Sequence, residues 1–422
     1  MLSREDNERL VRVGRGTPAG ELFRRYWQPA CLSVELPEKD GAPIRVRLLG
    51  EDLIAFRDTL GRIGLVDAYC PHRRAPLFFG RNEECGLRCV YHGWKFDVDG
   101  NCVDLPSEPA SSPMKANIKI KQYPTFEKGG VIWAYLGPSD KMPGQPDYEW
   151  MRAPATHCHI SKTFEHCNYL QGVEGGLDTA HSSYLHNLNI HDKSLPRQRD
   201  RAPNLEVIRT DYGYSYISTR KLGEDGNYVR VYHYVMPFQQ MRGGLNGVEG
   251  RNAVPQLDGH LWVPIDDEHT NVYNWSYSAD PAIPISDEYF EAHEHHSGRG
   301  KNDLIPGTFV LKRNPSNDYL IDRQIQKTRT FTGIEGVNTQ DFAIQEGMGP
   351  IVDRSNEYLG TTDRAIVTLR RMLLEATAAV ERGETPPGAD PKTHSGIRPY
   401  DGIVPPGATW RETFAEGLQC KW

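Results

Sequence analysis

Two short segments carry the residues best suited to chemistry: Cys70-Pro-His72 and, after sixteen further residues, Cys89-Val-Tyr-His92-Gly-Trp. Each supplies one thiol and one imidazole. Two thiolates can hold one iron of a two-iron, two-sulfide cluster while two imidazoles hold the other. The ligands of each pair are close in sequence yet must reach different irons, so each loop gives one ligand to each metal. Gly93 permits a tight loop, and Trp94 can shield the centre. The alternative is a Cys2His2 zinc site, but zinc sites usually group Cys with Cys and His with His. Neither loop holds a spare cysteine, and Cys85 between them has no evident partner.

A second constellation reads Glu174-Gly-Gly-Leu-Asp178-Thr-Ala-His181-Ser-Ser-Tyr-Leu-His186. On a regular helix Glu174, Asp178 and His181 lie within about 40–60° of one another, and His186 lies roughly 140° beyond His181. Both imidazoles reach one metal only if the helix ends or loosens between them. Two His and one carboxylate leave coordination positions open for O2 on Fe(II). The carboxylate must come from elsewhere. Asp341, at the start of a helical segment near Thr339–Glu346, is the first candidate, with Glu346 and Asp353 behind it. An electron relay followed by a second metal site gives each a purpose.

These residues must be positioned by ordinary elements. Ser3 and Thr17-Pro18 start two short helices. Short β-type runs follow, among them Ile44–Leu48, Leu53–Phe56, Gly64–Val66 and Val131–Tyr135, separated by turn pairs such as Asp40-Gly41 and Asp99-Gly100. Prolines at 138, 143, 146 and 154 mark a linker. Beyond it, a strand at His157–Thr163 leads into a helix expected from Glu165 to about Leu185. Strands are expected at 205–209, 214–220, 229–236, 259–264 and 271–277, with helices at 287–296, 339–346 and 363–382. The division is a lead-in over 1–26, a β-domain over 27–154, an α+β domain with an antiparallel sheet over 155–382, and an extended Pro- and Gly-rich arm over 383–422.

Composition excludes several classes. The 422 residues carry a net charge of -7, which argues against a generally basic nucleic-acid binder. No apolar run approaches a membrane span, and the N-terminal residues show no secretory signal, so a cytoplasmic protein without membrane or nucleic-acid partners is expected. Eight cysteines are too sparse for a disulfide scaffold. No G-x-G-x-x-G fingerprint joins a strand to a helix, so NAD(P)H can act only indirectly.

The two motifs, in this order, resemble the Rieske non-haem iron aromatic oxygenases over nearly the whole chain. The segments Phe23-Arg-Arg-Tyr-Trp27-Gln-Pro, Gly50–Arg57, Asn317–Arg323 and Thr339-Gln-Asp341 are similar to the phthalate-dioxygenase-like group of α subunits, which includes O-demethylases of lignin-derived biaryl acids. The resemblance implies an N-terminal all-β Rieske domain and a helix-grip-like catalytic domain. It implies one Rieske [2Fe–2S] cluster on Cys70, His72, Cys89 and His92, and one mononuclear Fe(II) on His181, His186 and Asp341. Asp178 takes the place of the bridging carboxylate that passes electrons between subunits, and Glu174 can help shape the site. The loops, lacking the disulfide cysteines of respiratory Rieske proteins, imply a lower-potential relay fed by a ferredoxin or flavin reductase. A homotrimer, or a stacked pair of trimers, is implied, with one subunit's cluster beside the next subunit's iron. The implied reaction uses O2 on a small aromatic acid, with O-demethylation of a methoxylated lignin-type biaryl acid, releasing formaldehyde, ahead of cis-dihydroxylation of a phthalate- or phenoxybenzoate-type acid. The Gly243-Gly244 and Asn246-Gly247 pairs suggest a loop that could admit a bulky substrate.

A pocket arginine is expected to hold the carboxylate; Arg201, Arg230, Arg242 and Arg251 are candidates, each expected at the surface by default. The groups His157-Cys158-His159 with His166-Cys167, and His293-Glu-His295-His296, are expected to be ordinary packing and a polar helix end. Two rival classes remain: a Rieske electron-transfer protein without oxygenase activity, and a zinc-binding interaction module.

Overall fold

The computed structural model describes residues 1–244 and 254–422. It forms two compact units: Phe23–Pro143, and Met1–Leu22 together with Gly144–Trp422. The short lead-in therefore belongs with the second unit rather than standing alone. Asn246-Gly247 and Arg251 lie outside the described residues.

The first unit is three small antiparallel sheets. β1 (Trp27–Leu32), β10 (Val131–Tyr135) and β9 (Thr125–Lys128) make one, in that order. β2 (Ile44–Leu48), β3 (Glu51–Arg57) and β4 (Ile63–Asp67) make the second. β5 (Arg81–Glu83), β6 (Gly86–Arg88), β7 (Lys95–Phe96) and β8 (Cys102–Asp104) make the third. Ile54, Phe56, Val66, Leu77, Leu87 and Phe96 form a core that also contains the thiols of Cys70 and Cys89. Burial of this apolar surface fixes the loops that carry them.

The second unit is built on one sheet in the order β11-β17-β16-β15-β14-β13-β12. The strands are β11 (Cys158–Glu165), β12 (Asn204–Arg209), β13 (Gly213–Lys221), β14 (Asn227–Val235), β15 (Gln239–Gly243), β16 (Gln256–Pro264) and β17 (Thr270–Ser278). An eighth, β18 (Tyr400–Val404), pairs with the first half of β14 while β15 pairs with its second half. The segment expected as a surface arm is thus part of the sheet. Helix Arg364–Glu381 buries Ala365, Ile366, Leu369, Met372, Leu373, Ala376 and Val380, a helical stripe packed toward the interior. Ser3 caps helix Arg4–Val11 through the Asp6 N–H, and Thr17 Oγ1 accepts from the Gly20 N–H at 3.1 Å.

The helix expected over 165–185 is corrected. Glu165 ends a strand, and the helix runs only from Tyr169 to Leu177, with Asn168 as N-cap and Asp178 as C-cap. His181–Ser183 form a single 3-10 turn. Gly172 and Gly176, one turn apart, seat the indole of Trp262: a Cβ there would come within 2.3 and 2.1 Å of it. A Cβ on Gly175 would meet the Gln345 amide at 2.1 Å. The glycines let the sheet and helix Val337–Gly347 approach, at the expense of helical propensity.

Candidate active site

The two cysteine–histidine loops share one scaffold. In each, the cysteine N–H donates to the carbonyl five residues on, and the N–H four residues on donates back to the cysteine carbonyl: Cys70 to Ala75 and Arg74 to Cys70, Cys89 to Trp94 and Gly93 to Cys89, all at 2.8–2.9 Å. The fourth residue after each cysteine has positive φ, 57° at Arg74 and 78° at Gly93. At Gly93 a Cβ would also stand 2.6 Å from Pro106. The histidine comes two residues after the cysteine in one loop and three in the other, yet the His72 and His92 rings meet, with centroids 4.5 Å apart. His72 stacks on Trp94 at 4.3 Å and 9°, so the tryptophan covers the ring. The Trp94 Nε1–H donates to Ser107 Oγ at 3.0 Å.

Thiol sits with thiol and imidazole with imidazole. Cys70 and Cys89 are neighbours in the core, close enough for the Cys89 thiol to disfavour ionisation of Cys70. Burial pushes the Cys70 thiol up to about 11, against a backbone hydrogen bond at His72 that lowers it. A thiolate forms in such surroundings only beside a cation. His72 Nδ1 is buried with no hydrogen-bond partner, which a metal ligand explains and a packing histidine does not. Among the described residues, only His181, His186 and Asp341 gather their donor atoms within single-ion distance. The Cys–His quartet therefore fits a two-iron cluster and not one zinc ion.

The second constellation closes on itself because the helix stops at Asp178. His181 Nε2 lies 3.0 Å from His186 Nε2, and Asp341 Oδ1 lies 3.7 and 3.2 Å from the two. The tautomers follow from the neighbours. Gln340 Nε2 donates to Ile334 O at 2.8 Å, so its Oε1 faces His186 Nδ1, also at 2.8 Å, and Nδ1 carries the proton. His181 Nδ1 faces Asp178 Oδ2 at 3.5 Å, and that carboxylate can only accept. Asp178 Oδ1 accepts from the Ala180 N–H at 2.7 Å. Burial would raise the Asp178 carboxyl, but the His181 contact outweighs it and holds the group below its ordinary value. Two lone-pair nitrogens and a carboxylate oxygen thus converge, an arrangement that requires a cation among them. Two His and one carboxylate match the donor set of non-haem Fe(II).

Gln340 was not singled out in the sequence, because an amide next to the expected ligand Asp341 gives no signal by itself. A Gln340→Leu protein should bind iron 10- to 100-fold more weakly, about the usual effect of losing such a partner. Iron titration of the apoprotein measures it; unchanged affinity would remove Gln340 from the site.

Asp341 sits in the second turn of helix Val337–Gly347, not at its start. The other carboxylates are engaged elsewhere. Glu346 accepts from the His166 N–H at 2.8 Å and from the Tyr319 hydroxyl. Asp353 bonds Ser355 and Asn356. Glu174 accepts from Arg354 Nε at 2.9 and 3.0 Å and from Arg370 Nε at 2.6 Å. It joins helix Tyr169–Leu177 to the Arg354 turn and to helix Arg364–Glu381, and it does not line the cavity described below.

Above the metal residues opens a cavity whose floor is one sheet face: Arg230 and Tyr232 of β14, Gln240 and Arg242 of β15, and Gln256, Asp258, His260 and Trp262 of β16. Alternate residues of a strand share a face. Arg230 and Arg242 are therefore cavity residues, contrary to the surface default, while Arg201 is exposed beside Tyr184. Arg242 pairs with Asp258. Arg230 Nη2 donates to Gly243 O at 2.7 Å, its Nε is buried without a hydrogen-bond partner, and it forms no ion pair among the described residues. His293 and His296 also line the cavity, a correction to the polar helix end. Burial, with Arg299 nearby, lowers His293 to about 4. His157 and His159 bond carbonyls of Pro281 and Ile285, as packing residues do.

Residues 26–124 match the family model of the Rieske [2Fe-2S] domain, and residues 134–420 match that of the LigXa C-terminal domain like family. The chain belongs to the Rieske non-haem iron oxygenases. It is similar to the phthalate 4,5-dioxygenase oxygenase subunit of Pseudomonas putida, 40% identical over 98% of this chain and 94% of that one. It is 32% identical to the 5,5'-dehydrodivanillate O-demethylase oxygenase subunit of a Sphingobium species, over 99% and 89%. The fold is that of a dicamba monooxygenase crystal structure, with a TM-score of 0.63 over 86% of this chain and 99% of that one at 19% identity. This oxygenase carries a Rieske [2Fe–2S] cluster and a mononuclear iron. No helix among the described residues is long and apolar enough to cross a membrane.

Proposed function

We propose that this oxygenase subunit oxidises an aromatic carboxylate, with Arg230 as the group that receives the carboxylate. The observation that carries the reading is the half-buried Arg230 guanidinium lining the cavity, with its buried Nε unbonded and no ion pair among the described residues. A guanidinium in a cavity wall attracts an anion, and its planar fork suits a carboxylate. In this reading Cys70, His72, Cys89 and His92 hold the cluster, and His181, His186 and Asp341 hold the iron. Bound there, the two groups would supply electrons and the site for O2. Gln340 and Asp178 keep both imidazoles presenting Nε2, and Trp262, Val272 and Phe342 give the ring an apolar wall.

Ring dioxygenation is the favoured outcome, supported by 40% identity to a phthalate dioxygenase subunit. O-demethylation of a methoxylated biaryl acid is the second reading, supported by the relative at 32%. Electrons come from NADH through a separate reductase, with or without a ferredoxin. A trimer would place Asp178 of one subunit beside a cluster histidine of the next. The test supplies a reductase, NADH and O2 with a panel of aromatic acids. A cis-dihydrodiol marks dioxygenation and formaldehyde marks demethylation; oxidation of no acid in the panel overturns the reading. An Arg230→Met protein should keep its iron and show KM for the acid raised about 100-fold, the scale of a lost charge-assisted hydrogen bond. An unchanged KM would exclude Arg230 as the carboxylate site.

A further inference from the structure

Within the cavity one polar atom has its role fixed from a distance. Glu294 and Arg299 form a buried ion pair, 2% and 4% exposed. Glu294, a carboxylate, only accepts, and Ser161 Oγ–H donates to it at 2.5 Å. Ser161 Oγ then accepts from Asn274 Nδ2 at 3.3 Å, whose other contact is the Val272 carbonyl at 3.4 Å. Both put the amide nitrogen away from His260, leaving Oδ1 to accept from His260 Nδ1 at 2.7 Å. Each donor dictates the next. His260 therefore carries its proton on Nδ1, and its Nε2 is a lone-pair acceptor.

His260 is 4% exposed, lines the cavity, and has no partner at Nε2 among the described residues. It lies two residues from Asp258 on the same face of β16, and that carboxylate is a second acceptor, already engaged by Arg242. Burial and the nearby Arg242 and Arg299 keep the His260 ring neutral, well below its ordinary value. A ligand lying over this part of the floor meets two acceptors, His260 Nε2 and the Asp258 carboxylate, the second already engaged by the Arg242 Nε–H. A buried acceptor left unmet carries a desolvation penalty.

We propose that His260 Nε2 accepts a hydrogen bond from the substrate, so that the acid selected by this cavity carries a ring hydroxyl or amino group besides its carboxylate. The proposal rests on the aromatic-acid reading and adds a second specificity determinant to it. The iron- and cluster-loaded protein is titrated calorimetrically with the three hydroxybenzoates, the three aminobenzoates and, as near-isosteres without a donor, the three fluorobenzoates. At one ring position or more the donor-bearing acid should bind at least about tenfold tighter than its fluoro counterpart. His260→Phe should abolish that preference by weakening the donor-bearing acid alone. Asn274→Leu, which frees the ring to carry its proton on Nε2, should reduce it in the same way without touching the ligand. Unaltered iron content and cluster absorbance verify each variant. Equal binding of both series at every position overturns the proposal while leaving the aromatic-acid reading intact, as does a preference that survives His260→Phe. Should His260→Phe not fold, a preference that survives Asn274→Leu overturns it. Binding of no acid in any series overturns both.

Discussion

An Asp178→Asn protein is expected to retain both metal centres and to turn over about a hundredfold more slowly. The carboxylate caps the helix end and accepts from the Ala180 N–H while its other oxygen faces His181 Nδ1. An asparagine keeps one oxygen and the same shape, so the turn and the iron ligands should stay in place. What disappears is the charge that favours a proton on His181 Nδ1 and, in the proposed trimer, on a cluster histidine of the neighbouring subunit. Iron content and the reduced-cluster signal should be normal. Reoxidation of the prereduced cluster in the presence of substrate and O2 should be slow. Undiminished turnover would remove Asp178 from the relay.

Asp341→Ala should lose the mononuclear iron outright. Its Oδ1 is the anionic member of a cluster whose other two members are neutral lone pairs 3.0 Å apart. Without it, two imidazoles alone must hold a hard divalent ion, and affinity should fall by more than about a hundredfold. The cluster lies in the other compact unit and should still form and accept electrons. Chelation-resistant iron, cluster absorbance and product formation are the measurements. A variant that keeps the mononuclear iron would transfer the role to another carboxylate.

The residues proposed to hold the metals stand out in the sequence because their chemistry is rare and their spacing constrained. Cys70, His72, Cys89 and His92 could be named from four positions, and His181, His186 and Asp341 from the need for a destination. The supports were not legible. Asparagines and glutamines such as Gln340 and Asn274 occur throughout any chain, and only a fold shows which of them fixes a tautomer. β15 escaped notice because Gln239, Gln240 and Arg242 interrupt its apolar pattern, and β16 was recognised only from Gly259 onward because its inward face is Gln256, Asp258 and His260. A sheet face that lines a polar cavity does not show the apolar alternation from which strands are read. The helix through His181 was overextended for a related reason. A periodicity of charged residues continued past Leu177, whereas the chain turns there so that the two imidazoles can meet.

The paired β1 and β10 bring the two ends of the first unit together. Trp27 opposes Tyr135 in that pair, and the Trp27 Nε1–H reaches the carbonyl of Pro143. The second unit is made from the segments on either side, Met1–Leu22 and Gly144–Trp422. In topological terms the relay is a cassette inserted into a loop of the catalytic body, with entry and exit side by side. A guest of this kind asks little of its host beyond closing a short gap, and domain insertions are tolerated where a domain's ends are near each other. The insertion thus joins the electron carrier to the chain through two adjacent crossings of the backbone, at Leu22–Phe23 and Pro143–Gly144.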